Sequence, residues 1–238
     1  MNTRRLRYEV ALVLALTFGM AGLRSIFTLI DALSAPLNTQ SVTLNAPRAT
    51  AAWLDFALQL CGAATIMTWG LLALFLLGER LEKPRGADFS WGVGLAALIG
   101  IPGLGFYYAA VHLGLSKEVI PSTLEHFWTI PVLLLLSFAH AFAEEIVVVK
   151  WLSTRLNQLG HGLIFTLVVS ALLRGSYHLY QGVSAGIGNV IMGLIYGWFY
   201  LRYRPTSIWP LIIGHFLIDA VAFVGYTLAT MLNINVSC

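Results

Sequence analysis

Long apolar runs separated by short polar segments make up most of this sequence. Each run approaches or exceeds the roughly 20 residues that a helix needs to cross the hydrocarbon core of a bilayer. Backbone N–H and C=O groups in that core must be hydrogen-bonded within the protein, which leaves helices and closed barrels. The runs lack the alternation of polar and apolar residues that barrel strands show, so we expect helices. Seven spans are predicted, at residues 8–33, 52–78, 91–113, 127–152, 162–180, 183–203 and 208–232.

The composition agrees with a membrane protein. Hydrophobic residues make up 58% of the 238 residues and charged residues only 11%, with a mean hydropathy of +0.79. An ordinary soluble domain has about 25% charged residues. We therefore predict an all-α fold, a polytopic transmembrane helical bundle forming one domain over residues 1–238. The lipid bilayer is an expected partner and nucleic acid is not.

The basic residues predict the orientation. Of the fourteen Lys and Arg residues, ten lie on one side of the seven spans, and only Arg48 and Lys117 lie on the other. The positive-inside rule then places the N-terminus in the cytoplasm. Because the loops are short, we expect a bacterial protein, integral to the plasma membrane. The ten are Arg4, Arg5, Arg7, Arg80, Lys83, Arg85, Lys150, Arg155, Arg202 and Arg204.

Ionisable residues inside the spans are concentrated in the second half of the chain. The stretch AHAFAEEIVVVK places two adjacent glutamates in an apolar run. A charge at membrane depth costs at least about 2.5–3.5 kcal/mol on insertion scales, and such residues are functional hypotheses by default. The last four spans contain Glu144, Glu145, Arg174, His178, His215 and Asp219.

Helical spacing predicts that several of these groups meet. Residues at i and i+4 share a helix face, which pairs His215 with Asp219. Glu144 and His178 each lie 17 residues from His161, near the turn between two spans, so equal helical rise puts them at one depth. We expect the active site in the C-terminal half, with these four groups facing one cavity that opens toward the cytoplasm.

A carboxylate with two histidines and a second carboxylate suits hydrolysis. Such a set supplies a general base, proton shuttles and oxyanion donors, and it is also a plausible divalent-metal site. The sequence has no H-E-x-x-H zinc helix. Amide hydrolysis at the membrane is the predicted reaction. The alternatives are a structural polar cluster in a non-catalytic immunity or scaffold protein, and a cation carrier that uses the same carboxylates.

Three motifs in order resemble those of the CAAX protease and bacteriocin-processing (CPBP) family of intramembrane proteases. EEIVVVK resembles the family's E-E-x-x-x-R motif, RGSYH its R-x-x-x-H motif, and HFLID its H-x-x-x-D motif. The similarity covers about residues 138–226, inside a predicted core at 127–232. It implies an intramembrane endopeptidase related to type II CAAX prenyl endopeptidase, acting on membrane-associated proteins or peptides.

The resemblance also implies the role of each residue. Glu144 would activate the hydrolytic water, His178 would assist or position that water, and the third motif would stabilise the oxyanion. The family is often labelled a metalloprotease, and a purely glutamate-based mechanism has also been argued for it. A divalent metal such as zinc is therefore one expectation, with Glu144, His178 and His215 as candidate ligands, and a metal-free site is the other. The implied catalytic residues are Glu144, His178, His215 and Asp219, with Glu145 and Arg174 supporting.

Two features depart from the family pattern. Val149 stands where the first motif has its arginine, and Lys150 is one residue late. Glu145, which that arginine would brace, must be braced otherwise, and Arg174 is the candidate. Relatives are often described with eight membrane helices, so eight is the alternative to seven. The missing arginine also leaves a non-catalytic family member as an alternative.

Overall fold

The computed structural model describes residues 2–120 and 126–225. Three π-helical segments, Glu145–Trp151, Phe199–Tyr203 and Val221–Gly225, extend helices in the second half of the chain. In the described residues the α-helices are α1 (Thr3–Leu16), α2 (Phe18–Ala32), α3 (Ala52–Leu77), α4 (Gly86–His112), α5 (Thr129–Glu144), α6 (Leu152–Gln158), α7 (Leu163–Ser176), α8 (Val183–Trp198) and α9 (Trp209–Ala220).

Each of the seven predicted spans contains a helix. By length and composition, four helices in the described part are long and apolar enough to cross a membrane, or five if the pair α1 and α2, bent by 49°, forms one span. Leu163–Ser176 and Trp209–Gly225 are shorter apolar helices. The last predicted span extends to residue 232, and its end lies outside the described residues. The all-α bundle is confirmed, and the count of seven or eight spans stays a prediction.

Two three-residue strands join the loops at one end of the bundle. β1 (Ser41–Thr43), between α2 and α3, pairs in parallel with β2 (Glu118–Ile120), which follows α4. Ser116 forms a further bridge with Gly182 at the start of α8. These pairings hold three connections together at the end of the bundle opposite the N-terminus of α1.

The π-helical segment Glu145–Trp151 joins α5 to α6 without a break, so that Thr129–Gln158 is one 30-residue helix. A π-helix closes i→i+5 hydrogen bonds and is often found at functional sites. The carbonyl of Val148 in this segment accepts a hydrogen bond from Ser170 Oγ on α7 at 2.7 Å. The widened helix is thereby tied to its neighbour directly after the two glutamates.

Small residues bring α7 and α8 close together. A Cβ on Gly193 would lie 2.9 Å from Ala171 Cα and 3.4 Å from Arg174 Cδ, and one on Gly197 would lie 2.9 Å from Leu167 Cδ2. The sequence places these two glycines in a G-x-x-x-G pair, a pattern that lets helix backbones approach closely. This contact positions Arg174, because its stem packs against the backbone of α8.

We predict that Gly193→Ala destabilises the protein. The added methyl group would press against Ala171 backbone, and overpacking of this kind typically costs about 1–3 kcal/mol. Thermal unfolding in detergent, followed by tryptophan fluorescence, measures the effect. Gly94→Ala is the matched control, because a Cβ there meets nothing within 4 Å. Equal unfolding temperatures for the two variants would show that α7 and α8 do not pack this closely.

Candidate active site

The two adjacent glutamates end α5 and begin the π-helical segment. Both are buried, with 3% of Glu144 and 0% of Glu145 exposed. The four residues that follow, Ile146–Val149, are no more than 1% exposed and belong to the hydrophobic core. Two carboxylates in such surroundings require specific partners, because an unpaired buried charge is very costly.

Arg174 and His215 pair with Glu145. Arg174 Nη2, at the end of α7, donates to Glu145 Oε1 at 2.7 Å, and His215 Nδ1, on α9, lies 2.8 Å from the same oxygen. The Arg174 guanidinium carbon is also 5.9 Å from the centre of the Tyr196 ring on α8. Side chains from α7 and α9 therefore converge on one carboxylate, and Tyr196 of α8 packs against the arginine.

Glu144 has a different set of neighbours at its two oxygens. Tyr177 Oη donates to Oε2 at 2.7 Å. Arg174 Nη1 lies 3.8 Å and His215 Nε2 lies 4.0 Å from the same oxygen. Oε1 has His140 Nδ1 at 3.9 Å. One oxygen of Glu144 is thus held inside the cluster, and the other lies beside a histidine whose side chain is 36% exposed.

The remaining two predicted residues stand at the edge of this cluster. His178 Nδ1 lies 3.1 Å from the Arg174 carbonyl oxygen, an acceptor only, so Nδ1 carries the hydrogen and Nε2 remains free. His178 is close enough to Glu144 for the two to interact electrostatically. Asp219 Oδ2 lies 3.6 Å from His215 Nε2. All six residues singled out in the sequence therefore belong to one cluster.

Among the described residues, the exposed part of the cluster lies on one side. The side chains of His140 and Asp219, which face the end where β1 and β2 lie, are 36% and 19% exposed. Toward the opposite end, ion pairs close the bundle: Lys150 Nζ with Glu79 Oε2 and Arg155 Nε with Glu9 Oε1, both at 2.7 Å. That closed end carries the basic loops. The predicted opening toward the cytoplasm stays a prediction, because the orientation of the chain in the membrane also stays one.

The candidate metal ligands do not fit a zinc site in this arrangement. Within residues 2–120 and 126–225, no three His, Cys, Asp or Glu side chains are placed to hold one ion. The positive guanidinium of Arg174 lies 3.8 Å from Glu144, and His215 Nδ1 is directed at Glu145. Glu144 Oε2 accepts from Tyr177 and His215 Nδ1 lies against Glu145, so these two atoms are already paired within the protein.

Two neighbours of Glu144 were not among the predicted site residues. Tyr177 lies one position before the motif histidine, at a place that the R-x-x-x-H motif leaves unspecified. The family motif does not require His140, although its i,i+4 spacing to Glu144 indicated a shared face. The structure adds both to the surroundings of Glu144. A tyrosine beside a motif histidine is the signal that could have identified Tyr177.

The departure at position 149 has a structural explanation. Val149 is buried in the hydrophobic core, and Lys150 pairs with Glu79 at the closed end. Glu145 is braced instead by Arg174, as the sequence suggested. The cluster therefore contains an arginine beside the second glutamate, supplied by the second motif.

The family model described as "Rce1-like: Type II CAAX prenyl endopeptidase Rce1-like" matches residues 125–221. The match contains all three motifs and every member of the cluster. No curated protein and no solved structure matches the chain significantly.

We predict that Arg174→Met lowers stability strongly, because it leaves Glu145 buried without its cation. Breaking a buried pair typically costs about 3–5 kcal/mol. The double variant Arg174→Met with Glu145→Gln is expected to recover part of that loss. Thermal unfolding in detergent measures both. Arg85→Gln breaks a pair whose side chains are 74% exposed and should change stability by less than about 1 kcal/mol. A loss for Arg174→Met no larger than for Arg85→Gln would contradict the buried pair.

Proposed function

This chain belongs, through residues 125–221, to the CAAX protease family of type II CAAX prenyl endopeptidases and their relatives, and on that premise we propose that it is an intramembrane endopeptidase. Its substrates are membrane-associated proteins or peptides, and Glu144 is the general base. One observation carries the proposal: the buried Glu144 carboxylate has one oxygen held by Tyr177 and the other on the open side of the cluster.

The first step is the activation of water by Glu144. Tyr177 holds Oε2, which fixes the plane of the carboxylate and leaves Oε1 for a water molecule that enters from the side of His140. Glu144 takes one proton from this water, and the resulting hydroxide attacks the carbonyl carbon of the scissile peptide bond. A positioned general base typically contributes about 10²–10⁴-fold to the rate. His178 assists, because its free Nε2 can accept a hydrogen bond from the same water.

The second step is the collapse of the tetrahedral intermediate. Glu145 orients His215 through Nδ1, so that Nε2 faces the space between Glu144 and Asp219. As imidazolium, His215 would donate from Nε2 to the oxyanion that forms there, with Asp219 beside it to balance the charge. Glu144 then returns its proton to the leaving amine, which breaks the peptide bond and restores the carboxylate.

We predict that Glu144→Gln abolishes peptide cleavage while the protein remains folded. The amide keeps the size of the side chain and can still accept from Tyr177, but it cannot take a proton from water. The expected loss is about 10²–10⁴-fold. Quenched peptides from a lipidated-tail library, offered to the protein in liposomes, measure it. Tyr177→Phe removes only the hydroxyl group that orients Glu144 and should leave partial activity.

Glu82→Gln is the matched control for this experiment, because Glu82 is an exposed carboxylate at the closed end of the bundle. Cleavage by Glu144→Gln at the rate of Glu82→Gln would contradict the proposed base. If the wild type and Glu82→Gln are folded and cleave nothing, the non-catalytic immunity or scaffold protein and the cation carrier become the better explanations of the cluster.

We also predict that cleavage survives removal of divalent metals. The proposed steps use a carboxylate, two imidazoles and a phenol of this chain, and Glu144 Oε2 and His215 Nδ1 are already paired within the cluster. Activity is measured before and after dialysis against EDTA and 1,10-phenanthroline, with bound metal determined by mass spectrometry. Loss of activity together with stoichiometric zinc, restored on adding zinc back, would overturn the metal-free mechanism.

A further inference from the structure

A cavity of about 90 Å³ lies between the first turns of α3, the first turns of α5 and the segment that precedes α3. One water molecule needs about 10–15 Å³, so the cavity has room for a small organic group. Both helices are long and apolar enough to cross a membrane. Trp53 and Trp128 stand at their first residues, and tryptophan is enriched at the membrane–water interface. We therefore expect the cavity to lie at the level of the lipid headgroups.

Gln59 presents a buried acceptor to this cavity. Only 6% of the residue is exposed, and its Nε2 donates to the Ala46 carbonyl oxygen at 3.3 Å. Because that carbonyl can only accept, the amide nitrogen must face Ala46, and Oε1 is the other end of the amide. Within residues 2–120 and 126–225, Oε1 is buried and has no hydrogen-bond partner. A buried acceptor without a partner is costly, so an occupant that donates a hydrogen bond would be favoured.

Asp55 adds a negative charge one helical turn before Gln59. It also lines the cavity, and its Oδ1 accepts from the backbone N–H of Arg48 at 2.6 Å. The guanidinium of Arg48 lies further along α3, where Nη1 donates to the Leu58 carbonyl at 3.1 Å. No lysine or arginine is among the described residues that line the cavity. The cavity thus combines a carboxylate and an unpaired acceptor without a cation of its own.

Aromatic and apolar side chains complete the wall. Phe56 and Trp128 line the cavity with their ring centres 5.5 Å apart, and His126 stacks on Trp128 at 4.6 Å. Leu136 belongs to the apolar part of the lining. Aromatic rings attract cations, organic ammonium ions among them. A metal ion is a poor match, because no three His, Cys, Asp or Glu side chains of the described residues are placed to hold one.

We propose that this cavity binds a primary ammonium group on a short carbon chain, either free ethanolamine or the ethanolamine headgroup of a phospholipid. A primary ammonium has three N–H donors, which match Gln59 Oε1 and the Asp55 carboxylate. A quaternary ammonium has the charge but no donor, and it would leave Oε1 unpaired. The bound group would tie α3, α5 and the segment before α3 together. Because the measurement is of binding, its outcome is independent of the proposed endopeptidase.

The first test is thermal unfolding of the full-length protein in an uncharged detergent, followed by tryptophan fluorescence. Ethanolamine should raise the unfolding temperature with a concentration dependence that yields a Kd, because a ligand of the folded state stabilises it. Choline at the same ionic strength keeps the charge and lacks N–H donors, so its Kd should be weaker by about tenfold or more. Equal stabilisation by the two ions overturns the proposal. So does stabilisation by neither, which is the result for a cavity that holds only water.

Two substitutions test the charge in opposite directions. Asp55→Asn keeps an acceptor for the Arg48 N–H but removes the negative charge, and it should weaken ethanolamine binding about tenfold. Gln59→Glu places a second carboxylate in the cavity and should tighten binding about tenfold, although it loses the donor to Ala46. A purely structural role of Gln59 predicts no such gain. Glu82→Gln removes an exposed carboxylate at the closed end and should leave the Kd unchanged.

Unchanged binding in Asp55→Asn, or weaker binding in Gln59→Glu, would overturn the proposal. If either variant does not fold, the comparison of ethanolamine with choline in the wild type still decides it.

The source of the ammonium group is distinguished in nanodiscs of phosphatidylcholine with and without phosphatidylethanolamine. If the lipid headgroup occupies the cavity, phosphatidylethanolamine should raise the unfolding temperature of the wild type more than that of Asp55→Asn. Added ethanolamine should then have little further effect. If the ligand is a free amine, ethanolamine should stabilise the protein equally in both bilayers. The absence of both effects would overturn the site in a membrane.

Discussion

The ion pair between Arg174 and Glu145 is the interaction on which the rest of the site depends. Both side chains are fully buried in an apolar bundle, and the Born cost of transferring either ion there alone is of order 20 kcal/mol. A buried ion pair is favourable only when further hydrogen bonds compensate the lost hydration of its charges. Here His215 Nδ1 provides one of these bonds to the same oxygen of Glu145. Because these residues lie on the π-helical segment that continues α5, on α7 and on α9, the charge balance fixes the relative positions of three helices. Glu144 is thereby held beside Arg174 without being its principal partner.

Much of this arrangement could be predicted from the sequence. The apolar runs located the helices, and the equal distances of Glu144 and His178 from the turn at His161 placed them at one depth. The predictions that were wrong concern segments that are not α-helical. The predicted span continued to residue 180, whereas α7 ends at Ser176, so Tyr177 and His178 do not follow the helical angles assumed for them. That is why a tyrosine one position from the motif histidine can also reach Glu144.

The π-helical segment is the second feature that spacing could not reveal. Successive residues of an α-helix are about 100° apart, so a regular helix would point the carboxylates of Glu144 and Glu145 at different partners. In the structure they do have different principal partners, yet both lie within 4.0 Å of Arg174 and His215. The wider helix begins at Glu145, and its hydrogen bonds are set by long-range contacts such as Ser170 with the Val148 carbonyl. A local pattern contains no information about those contacts.

Valine at residue 149 also contributes to the closed end of the bundle. An arginine at residue 149 would place a further guanidinium among residues that are no more than 1% exposed. Valine instead lets the segment after Glu145 pack in the hydrophobic core. Beyond that core, Lys150 pairs with Glu79 and the buried Arg155 pairs with Glu9, and these pairs close the end of the bundle. In the described residues, the partly exposed members of the cluster, His140 and Asp219, lie toward the other end. Such an arrangement suits the proposed hydrolysis within a bilayer, because a path open at both ends would also conduct water and ions across the membrane.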